Sequence, residues 1–313
     1  MPVGPLRANY GEQIHPVSGG CHDLSLLQRR ERRQHRRIQL KRGDELNTMV
    51  PEFWNELPEI VRDIDDNAKA RVIVISSTGK HFCAGMDLSA FTSGETADNS
   101  AARSFEERGR VRANVRRGVL DIQETFNAIE RARMPVLMAV QGGCVGGAVD
   151  FASACDCRYA TADAFFVIQE VNIGMTADLG TFPRLCHLIP QGMVRELAYS
   201  GRRLPAQRAL ELGFINAVFP TRDAMLEYVM DIAKDIAEKS PLAVHGSKVM
   251  VNYARDHSIT DGLYYIATWQ AGMFNPEADV MESLRAKGEK REPNFADLLP
   301  VRKVFEPKPQ PRR

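Results

Sequence analysis

Three carboxylates lie in parts of the chain that are otherwise apolar or rich in glycine. Asp150 has apolar neighbours, Glu170 comes two residues after the apolar run 164–168, and Asp178 lies in a stretch bounded by two glycines. An acid enclosed by apolar groups loses contact with water, which raises its pKa toward the range useful for proton transfer near neutral pH. Each acid alone would more often cap a helix or form a buried ion pair. Three of them so close together in the sequence indicate a proton-transfer site.

Two glycine-bearing turns each follow a predicted buried strand. The first turn spans residues 82–88, and the second spans residues 142–147. Glycine lets the backbone approach a ligand and present its N–H groups. A helix predicted at 147–154 would add the donors and the positive dipole end of its N-terminus. Two such N–H groups converging on one carbonyl oxygen would form an oxyanion hole; the alternative is two tight strand-to-helix turns without a binding role.

The glycine-bearing segments do not match the two common phosphate-binding motifs. Cys144 replaces the middle glycine of a dinucleotide-binding fingerprint, and residues 79–81 lack the remainder of a P-loop. The order Gly-x-Cys-x-Gly does match a nucleophile elbow, although a small buried residue is the alternative for Cys144. An elbow would need a downstream acid and one of the histidines His187, His245 and His257. The six cysteines form neither a disulfide framework nor a zinc pattern, so no metal site is predicted.

The elements that would position these residues alternate between buried strands and amphipathic helices. Runs of branched residues predict strands at 37–40, 71–76 and 136–140, and helical spacing of apolar residues predicts helices at 49–64, 111–129 and 147–154. This alternation indicates an α/β fold with parallel strands. The polar stretch 92–100 is interpreted as a mobile surface segment. From residue 223 onward the pattern is helical, with Pro241 at the first position of a helix after Ser240.

Composition and charge predict a globular chain without a transmembrane segment. The 313 residues are 44% hydrophobic and 26% charged, with a formal net charge of +1. No overall charge bias therefore indicates nucleic acid, an anionic membrane or a strongly charged substrate. The apolar stretch between Arg133 and Asp150 is too short and too rich in glycine to span a bilayer. Residues 1–36 are expected to form a basic, flexible extension, whose Arg-rich run at 29–37 suits a solvated tail, a targeting peptide or an RNA-binding arm.

Several segments together resemble the crotonase (enoyl-CoA hydratase/isomerase) superfamily. The matching motifs are Ala-Gly-Met-Asp-Leu at 84–88, Pro-Val-Leu-Met-Ala-Val-Gln-Gly-Gly at 135–143, Ala-Cys-Asp-Cys-Arg-Tyr at 154–159, Ala-Phe-Phe at 164–166, and the segments 202–206 and 209–216. The resemblance implies a crotonase-like spiral of ββα units over residues 37–222. It further implies a helical oligomerisation region over 223–300, a tail over 301–313, and assembly as a homotrimer or homohexamer.

The resemblance also implies a binding site for an acyl-CoA thioester. Its oxyanion hole would consist of the backbone N–H groups of Met86 and Gly147, which would stabilise the enolate formed when the acyl chain loses a proton. The residues implied to bind the substrate and its CoA group are Ala84, Gly85, Met86, Asp87 and Gly143. No metal or other cofactor is implied, because coenzyme A is part of the substrate and delocalisation into the thioester already lowers the barrier.

The three acids resemble those of the Δ3,5-Δ2,4-dienoyl-CoA isomerase subgroup. Hydratases of the superfamily carry two glutamates at the positions of Asp150 and Glu170, and usually glycine at the position of Asp178. The resemblance implies conversion of 3,5-dienoyl-CoA to 2,4-dienoyl-CoA in fatty-acid β-oxidation. Glu170 would be the base and Asp178 the acid, while Asp150 would orient or polarise. Asn172 departs from the subgroup, which has an acid at this position.

Three other functions remain open from the sequence. An enoyl-CoA hydratase would hold a water molecule between Asp150 and Glu170 and would not use Asp178. A CoA-thioester-binding homologue without catalysis is the second, and an RNA-binding relative is the third. The Arg-rich run lacks the interleaved aromatic residues that stack on bases, so nucleic acid is not an expected partner. The same run favours a mitochondrial location, with a peroxisomal or cytosolic location as alternatives.

Overall fold

Nine strands form two sheets in the computed structural model, which describes residues 27–32, 35–87, 105–274 and 276–302. The strands are β1 (Leu27–Arg32), β2 (His35–Leu40), β3 (Val72–Ser77), β4 (Val136–Val140), β5 (Gly143–Val145), β6 (Cys157–Thr161), β7 (Phe165–Val167), β8 (Leu204–Pro205) and β9 (Ala217–Phe219). The larger sheet has the order β1-β2-β3-β4-β6-β9, and the smaller has the order β5-β7-β8. Strands β2, β3, β4, β6 and β9 run parallel, which confirms the predicted parallel α/β architecture.

Ten α-helices connect and cover these strands within the described residues. They are α1 (Pro51–Asp66), α2 (Phe105–Arg131), α3 (Gly147–Ala154), α4 (Thr181–Leu188), α5 (Gln191–Ser200), α6 (Ala206–Glu211), α7 (Arg222–Ala237), α8 (Pro241–Asp256), α9 (Ile259–Met273) and α10 (Met281–Glu289). Short 3₁₀ helices occur at Gly43–Glu45 and Glu170–Ile173, and a π-helical turn occurs at Pro276–Val280. In the part of the chain that the structure describes, no helix has both the length and the apolar character needed to cross a bilayer.

Strand β3 illustrates why the central strands consist almost entirely of branched apolar residues. Ile73 and Ile75 lie in the main core, which α1 enters through residues such as Leu57. Val72 and Val74 lie in a second cluster together with the buried face of α7. A parallel strand that is covered on both faces has no exposed side to accept polar residues. Helix α7, which begins at the boundary predicted near residue 222, therefore packs against the same sheet as the core.

The first strands begin upstream of the position that the sequence predicts. Residues 27–32 and 35–40 form the antiparallel pair β1–β2, so the flexible extension expected over residues 1–36 is corrected at its C-terminal end. Arg36 and Arg37 of β2 bind residues outside this pair of strands. Arg36 Nε donates to Lys69 O at 3.2 Å, and Arg37 Nε donates to Ser76 Oγ at 2.8 Å. Two arginines of the basic run therefore make hydrogen bonds within the fold. The polar stretch 92–100 lies outside the described residues.

The predicted elements around the candidate site are confirmed with small shifts at their ends. Strand β4 and helix α3 have the predicted bounds, 136–140 and 147–154. Helix α1 begins and ends two residues later than predicted, and α2 extends beyond the predicted 111–129 at both ends. Helix α8 begins at Pro241 as predicted, and the Ser240 hydroxyl caps it by accepting a hydrogen bond from Ala243 N at 3.2 Å.

The smaller sheet places the second glycine turn beside one of the acids. Strand β5 pairs in parallel with β7, and the ladder continues where Gly146 N donates to Val167 O at 2.9 Å. Gly146 has a φ of +57° and leads directly into α3, a backbone conformation that favours glycine. Because β7 ends three residues before Glu170, this pairing brings Gly147 and Glu170 to the same edge.

Candidate active site

The two glycine turns are joined to each other by a short parallel ladder. Cys83 N donates to Gly143 O at 3.1 Å, and Val145 N donates to Cys83 O at 3.1 Å. The close approach depends on Gly85, because a Cβ atom at this position would lie 2.7 Å from Val145 O. Gly85 also has a φ of +88°, which favours glycine for a second reason. The turns that the sequence suggested as donor loops are therefore one connected unit.

Two backbone N–H groups of this unit, those of Met86 and Gly147, make no hydrogen bond to a described residue. Met49 pairs in parallel with Met86 through Met49 N to Gly85 O at 2.8 Å and Asp87 N to Met49 O at 3.1 Å. This pattern uses the groups on either side of Met86, so the N–H of Met86 itself points away from Met49. Gly147 is the first residue of α3 and has no intrahelical acceptor. Neither N–H donates to any other described residue.

Both N–H groups belong to residues that line a cavity of about 650 Å³ with a predominantly apolar wall. Seven of the residues predicted from the sequence line it: Ala84, Gly85, Met86, Gly143 and Gly147 from the turns, and Glu170 and Asp178 from the acids. Two predicted residues do not line it. The Asp87 side chain instead accepts a hydrogen bond from Thr48 Oγ1 at 2.9 Å, so Thr48 rather than Asp87 faces the cavity. Asp150 lies behind the wall.

Glu170 lies directly beside the helix that carries Gly147. It is the first residue of the 3₁₀ helix Glu170–Ile173, and a Cβ atom on Gly146 would be 3.4 Å from its Oε1 atom. Its Oε2 atom is buried and makes no hydrogen bond to a described residue. Partial burial raises the pKa of Glu170, and the negative charge of Asp178 raises it further, while backbone hydrogen bonds oppose the shift. A carboxylate that is partly removed from solvent is a stronger base.

Asp178 lies on an extended segment between the 3₁₀ helix and α4. Its neighbours Ala177 and Leu179 are buried, but its own side chain is accessible and only partly enclosed by the cavity wall. This partial burial raises the pKa of Asp178, and a hydrogen bond from its own backbone N–H opposes the shift. Gln123 Nε2 of α2 donates to the Asp178 carbonyl oxygen at 2.5 Å. The carboxyl group therefore faces the cavity from a backbone that α2 holds.

Asp150 is fully buried, and it contacts the Asp178 segment rather than the cavity. Its Oδ1 atom accepts a hydrogen bond from Thr181 N, the first residue of α4, at 2.6 Å. Its Oδ2 atom makes no hydrogen bond to a described residue. Burial is the largest cause that raises the pKa of Asp150 to about 7; the charge of Glu170 adds to it, and the Thr181 hydrogen bonds oppose it. In this structure the Asp150 side chain is therefore not part of the cavity wall.

The polar residues of the cavity wall that the sequence did not predict include His81 and Asn172. His81 Nδ1 accepts a hydrogen bond from Gly143 N at 2.9 Å, so a proton on the neutral ring must reside on Nε2. Asn172 donates through Nδ2 to Gln169 Oε1 at 3.0 Å and to Gly201 O at 3.2 Å. His81 was considered only as part of a P-loop, and Asn172 only as a departure from the subgroup. Both residues support backbone segments that form the site.

The structure contradicts a nucleophile elbow at Cys144 and agrees with the alternative, a small buried residue. The thiol is fully buried and donates to Ala148 O at 3.2 Å. Burial raises the pKa of Cys144 well above 9, so no thiolate is available, and a ligand in the cavity cannot reach it. Among the described residues, no group of three or more histidine, cysteine, aspartate or glutamate side chains is placed to hold a metal ion.

The chain belongs to the enoyl-CoA hydratase/isomerase family, which it matches over residues 35–298. Two relatives are particularly informative. The mitochondrial Δ(3,5)-Δ(2,4)-dienoyl-CoA isomerase of Mus musculus is 41% identical over 256 residues, which cover 82% of this chain and 76% of the mouse protein. The peroxisomal protein of the same name from Arabidopsis thaliana is 39% identical over 259 residues, covering 83% of this chain and 91% of the plant protein.

Solved structures confirm the crotonase-like fold. A crystal structure of an enoyl-CoA hydratase from Bacillus anthracis superposes with a TM-score of 0.75 at 28% identity, covering 86% of this chain and 98% of that one. An enoyl-CoA hydratase from Polaromonas sp. JS666 gives a TM-score of 0.74 at 23% identity, covering 86% and 99% of the two chains. At the identity of the second structure, the likeness concerns the fold alone.

Proposed function

We propose that this protein is a Δ3,5-Δ2,4-dienoyl-CoA isomerase, which moves the double bonds of a 3,5-dienoyl-CoA thioester into conjugation with the thioester carbonyl. The observation that carries the proposal is the presence of two acids with raised pKa values, Glu170 and Asp178, on the wall of one apolar cavity. The same wall contains Met86 and Gly147, whose backbone N–H groups make no hydrogen bond to a described residue. The names of the mouse and Arabidopsis relatives support the same reaction.

The backbone N–H groups of Met86 and Gly147 would bind the thioester oxygen. When the acyl chain loses a proton at C2, the electron pair moves onto that oxygen and spreads along C2 to C6. Two fixed donors in a water-poor cavity stabilise this negative charge without reorganising during the reaction. The N-terminal end of α3, which begins at Gly147, adds the positive end of its dipole. The proposed reaction needs no redox cofactor, because substrate and product are isomers at the same oxidation level.

Glu170 and Asp178 would move one proton each. Glu170 lies next to Gly146 and hence next to the oxyanion hole, which suits removal of the proton from C2, the carbon adjacent to the thioester. Asp178 would deliver a proton to C6, which restores the neutral thioester and leaves double bonds at C2 and C4. The raised pKa of each acid supports these roles, because it strengthens the base and keeps the acid protonated at higher pH. Asp150 would orient the Asp178 segment through Thr181.

A hydratase mechanism fits this arrangement less well. Hydration would require a water molecule held between the carboxylates of Asp150 and Glu170. The Asp150 side chain is fully buried, its Oδ1 atom is already bonded to Thr181 N, and it does not line the cavity. Asp178, which hydratases replace by glycine, faces the cavity instead. The pair of acids available to a ligand is therefore Glu170 and Asp178.

Two assays on the purified protein test the proposal. A 3,5-dienoyl-CoA is supplied, and formation of the conjugated 2,4-dienoyl product is followed by ultraviolet absorbance; hydration of a 2-enoyl-CoA is measured separately. We expect isomerisation by the wild type and a loss of roughly 100-fold or more in Asp178→Asn. The exposed Asp163 provides a matched control, since Asp163→Asn removes the same charge outside the cavity. Hydration that survives Asp178→Asn, without any isomerisation, would overturn the proposal.

Homo-oligomerisation is the second part of the proposal. Helix α9 exposes an apolar face formed by Ile259, Leu263 and Ile266, which are 84%, 63% and 45% accessible in the single chain. Residues with this spacing lie on one side of a helix, and a contiguous exposed apolar face is typical of an interface. We expect a trimer or a hexamer by light scattering, and a smaller species for Leu263→Glu. An unchanged mass for that variant would contradict this use of α9.

The location of the protein is proposed as mitochondrial. The name of the mouse relative supports this compartment, whereas the name of the Arabidopsis relative supports a peroxisomal one. Fractionation of cells that express the full chain decides between them, because the protein should co-sediment with a matrix marker. Recovery with peroxisomes or in the cytosol would refute the proposal.

A further inference from the structure

The segment that carries Asp178 is held at two points by two different helices. Asp150 of α3 accepts from Thr181 N at 2.6 Å, and Gln123 of α2 donates to Asp178 O at 2.5 Å. Gly180 lies between these points with a φ of +124°. Leu179 and Gly180 separate Asp178 from Thr181, so the bond at Thr181 acts on Asp178 only through two intervening residues.

The position of the Asp178 carboxyl group depends on its own backbone. The hydrogen bond identified for this carboxylate comes from the backbone N–H of the same residue, and the side chain is accessible rather than packed. A carboxyl group with this local hydrogen bond moves whenever its backbone moves. Ala177 and Leu179 pack in the core on either side, and the bond from Gln123 to the Asp178 carbonyl oxygen restrains the peptide of Asp178 itself.

Helix α2 is anchored well enough to act as a fixed support. Thr125 Oγ1 donates to Trp54 O of α1 at 3.2 Å, and Phe126 is fully buried. Arg184 of α4 donates to Asn127 Oδ1 at 2.6 Å and forms an ion pair with Glu130 at 2.9 Å. These contacts lie within two turns of Gln123 on the same helix. A displacement of Asp178 relative to the core is thus resisted through the Gln123 amide.

We infer that Gln123 is a positioning residue for the proton-delivering acid Asp178, an inference that rests on the proposed isomerase function. Without the Gln123 amide donor, the Asp178 carboxyl group would lose its fixed distance to C6 of the acyl chain. Proton removal from C2 by Glu170 would continue, because Glu170 is held by a different segment. The reaction would then return from the delocalised anion to the substrate more often than it proceeds to the product.

Gln123→Met tests the inference, because methionine has a similar length and lacks the donor. We expect kcat to fall roughly 10- to 100-fold, the effect of a displacement of about 1 Å, while KM changes less than about twofold. In D₂O, the recovered 3,5-dienoyl-CoA should contain more deuterium at C2 per product molecule formed than it does with the wild type. Asp178→Asn should shift this ratio in the same direction and further, whereas Glu170→Gln should abolish the exchange.

A double variant and a control separate positioning from general damage. If Gln123 acts through Asp178, Gln123→Met should cause no additional loss in the Asp178→Asn background. Arg117→Met removes an exposed ion pair with Asp121 on the same helix and should leave kcat and the exchange ratio unchanged. Equal falls in C2 exchange and product formation in Gln123→Met would overturn the inference, as would losses that add in the double variant. Failure of the proposed function would be distinct, because the wild type itself would then form no 2,4-dienoyl product.

Discussion

The wild type should become less stable as the pH rises toward neutrality, because buried Asp150 ionises. Replacing Asp150 by asparagine should remove this dependence on pH. The side chain is fully buried, and one oxygen accepts from Thr181 N while the other has no partner among the described residues. Ionisation therefore places a poorly compensated charge in the core. Asparagine retains an oxygen that can accept the Thr181 hydrogen bond, but it cannot ionise.

The size of this pH-dependent loss of stability follows from the difference in the pKa of Asp150 between the folded and the unfolded chain. The pKa of Asp150 rises from an ordinary value of 3.8 to about 7 in the folded protein. Between these values the folded state binds more protons than the unfolded state, so the free energy of unfolding decreases as the pH rises. One pKa unit corresponds to about 1.4 kcal/mol. The full shift of about three units is worth roughly 4 kcal/mol, of which about 3 kcal/mol is lost between pH 5 and pH 8.

The assay compares the urea unfolding of the wild type and Asp150→Asn at pH 5 and pH 8, at one protein concentration. The quantity compared is the difference in the free energy of unfolding between variant and wild type, measured at each pH. Any cost of the substitution that does not depend on pH cancels between the two pH values. We expect the variant to gain about 3 kcal/mol relative to the wild type between the two pH values, or a relative shift of about 5 °C in Tm. The exposed Asp235→Asn serves as a control. Parallel pH curves for wild type and Asp150→Asn would refute the reasoning.

Three further substitutions test the framework around the site. Gly85→Ala should lower kcat strongly and reduce stability by about 1–3 kcal/mol, because its Cβ would lie 2.7 Å from Val145 O at a φ of +88°; full activity would contradict the described turn. Lys248→Met should cost about 3–5 kcal/mol in urea unfolding, since its buried Nζ donates to Asp156 at 2.8 Å and to two carbonyl oxygens; a neutral effect would argue against that junction. Cys144→Ala should retain isomerase activity within about threefold, and a larger loss would revive a chemical role for the thiol.

The central elements of the fold could be predicted because their hydrophobic patterns are long and continuous. Strand β4 and helix α3 were predicted with the bounds that the structure shows. The smaller sheet was not predicted: β5 and β7 have three residues each, and β8 has two. Strands this short contain no measurable periodicity, and they exist because non-local pairing provides their hydrogen bonds. The same pairing places Gly147 beside Glu170, which no local pattern in the chain could indicate.

Four residues of the cavity wall could be predicted from the sequence, but not the groups that support them. Glu170 and Asp178 stand out by their apolar and glycine-rich surroundings, the motif resemblance indicates Met86 and Gly147, and the structure places all four on one cavity. No sequence pattern indicates a role for Gln123, because its side chain binds a backbone carbonyl oxygen 55 residues away. A bond to the backbone requires only a donor of suitable length, and it leaves no paired residue type in the sequence. The exclusion of Asp150 from the cavity likewise depends on the packing around α3.

Helix α3 connects the two halves of the proposed reaction. Its first residue, Gly147, would bind the oxygen on which charge develops, and Asp150, one turn later, holds the start of α4 through Thr181. Because both groups lie on one short buried helix, any shift of α3 changes the oxyanion hole and the Asp178 segment together. A second restraint from α2 is then needed to adjust the position of Asp178 independently of the oxyanion hole. In the proposed mechanism Gln123 of α2 provides that restraint, so loss of its amide should affect proton delivery by Asp178 and not proton removal by Glu170.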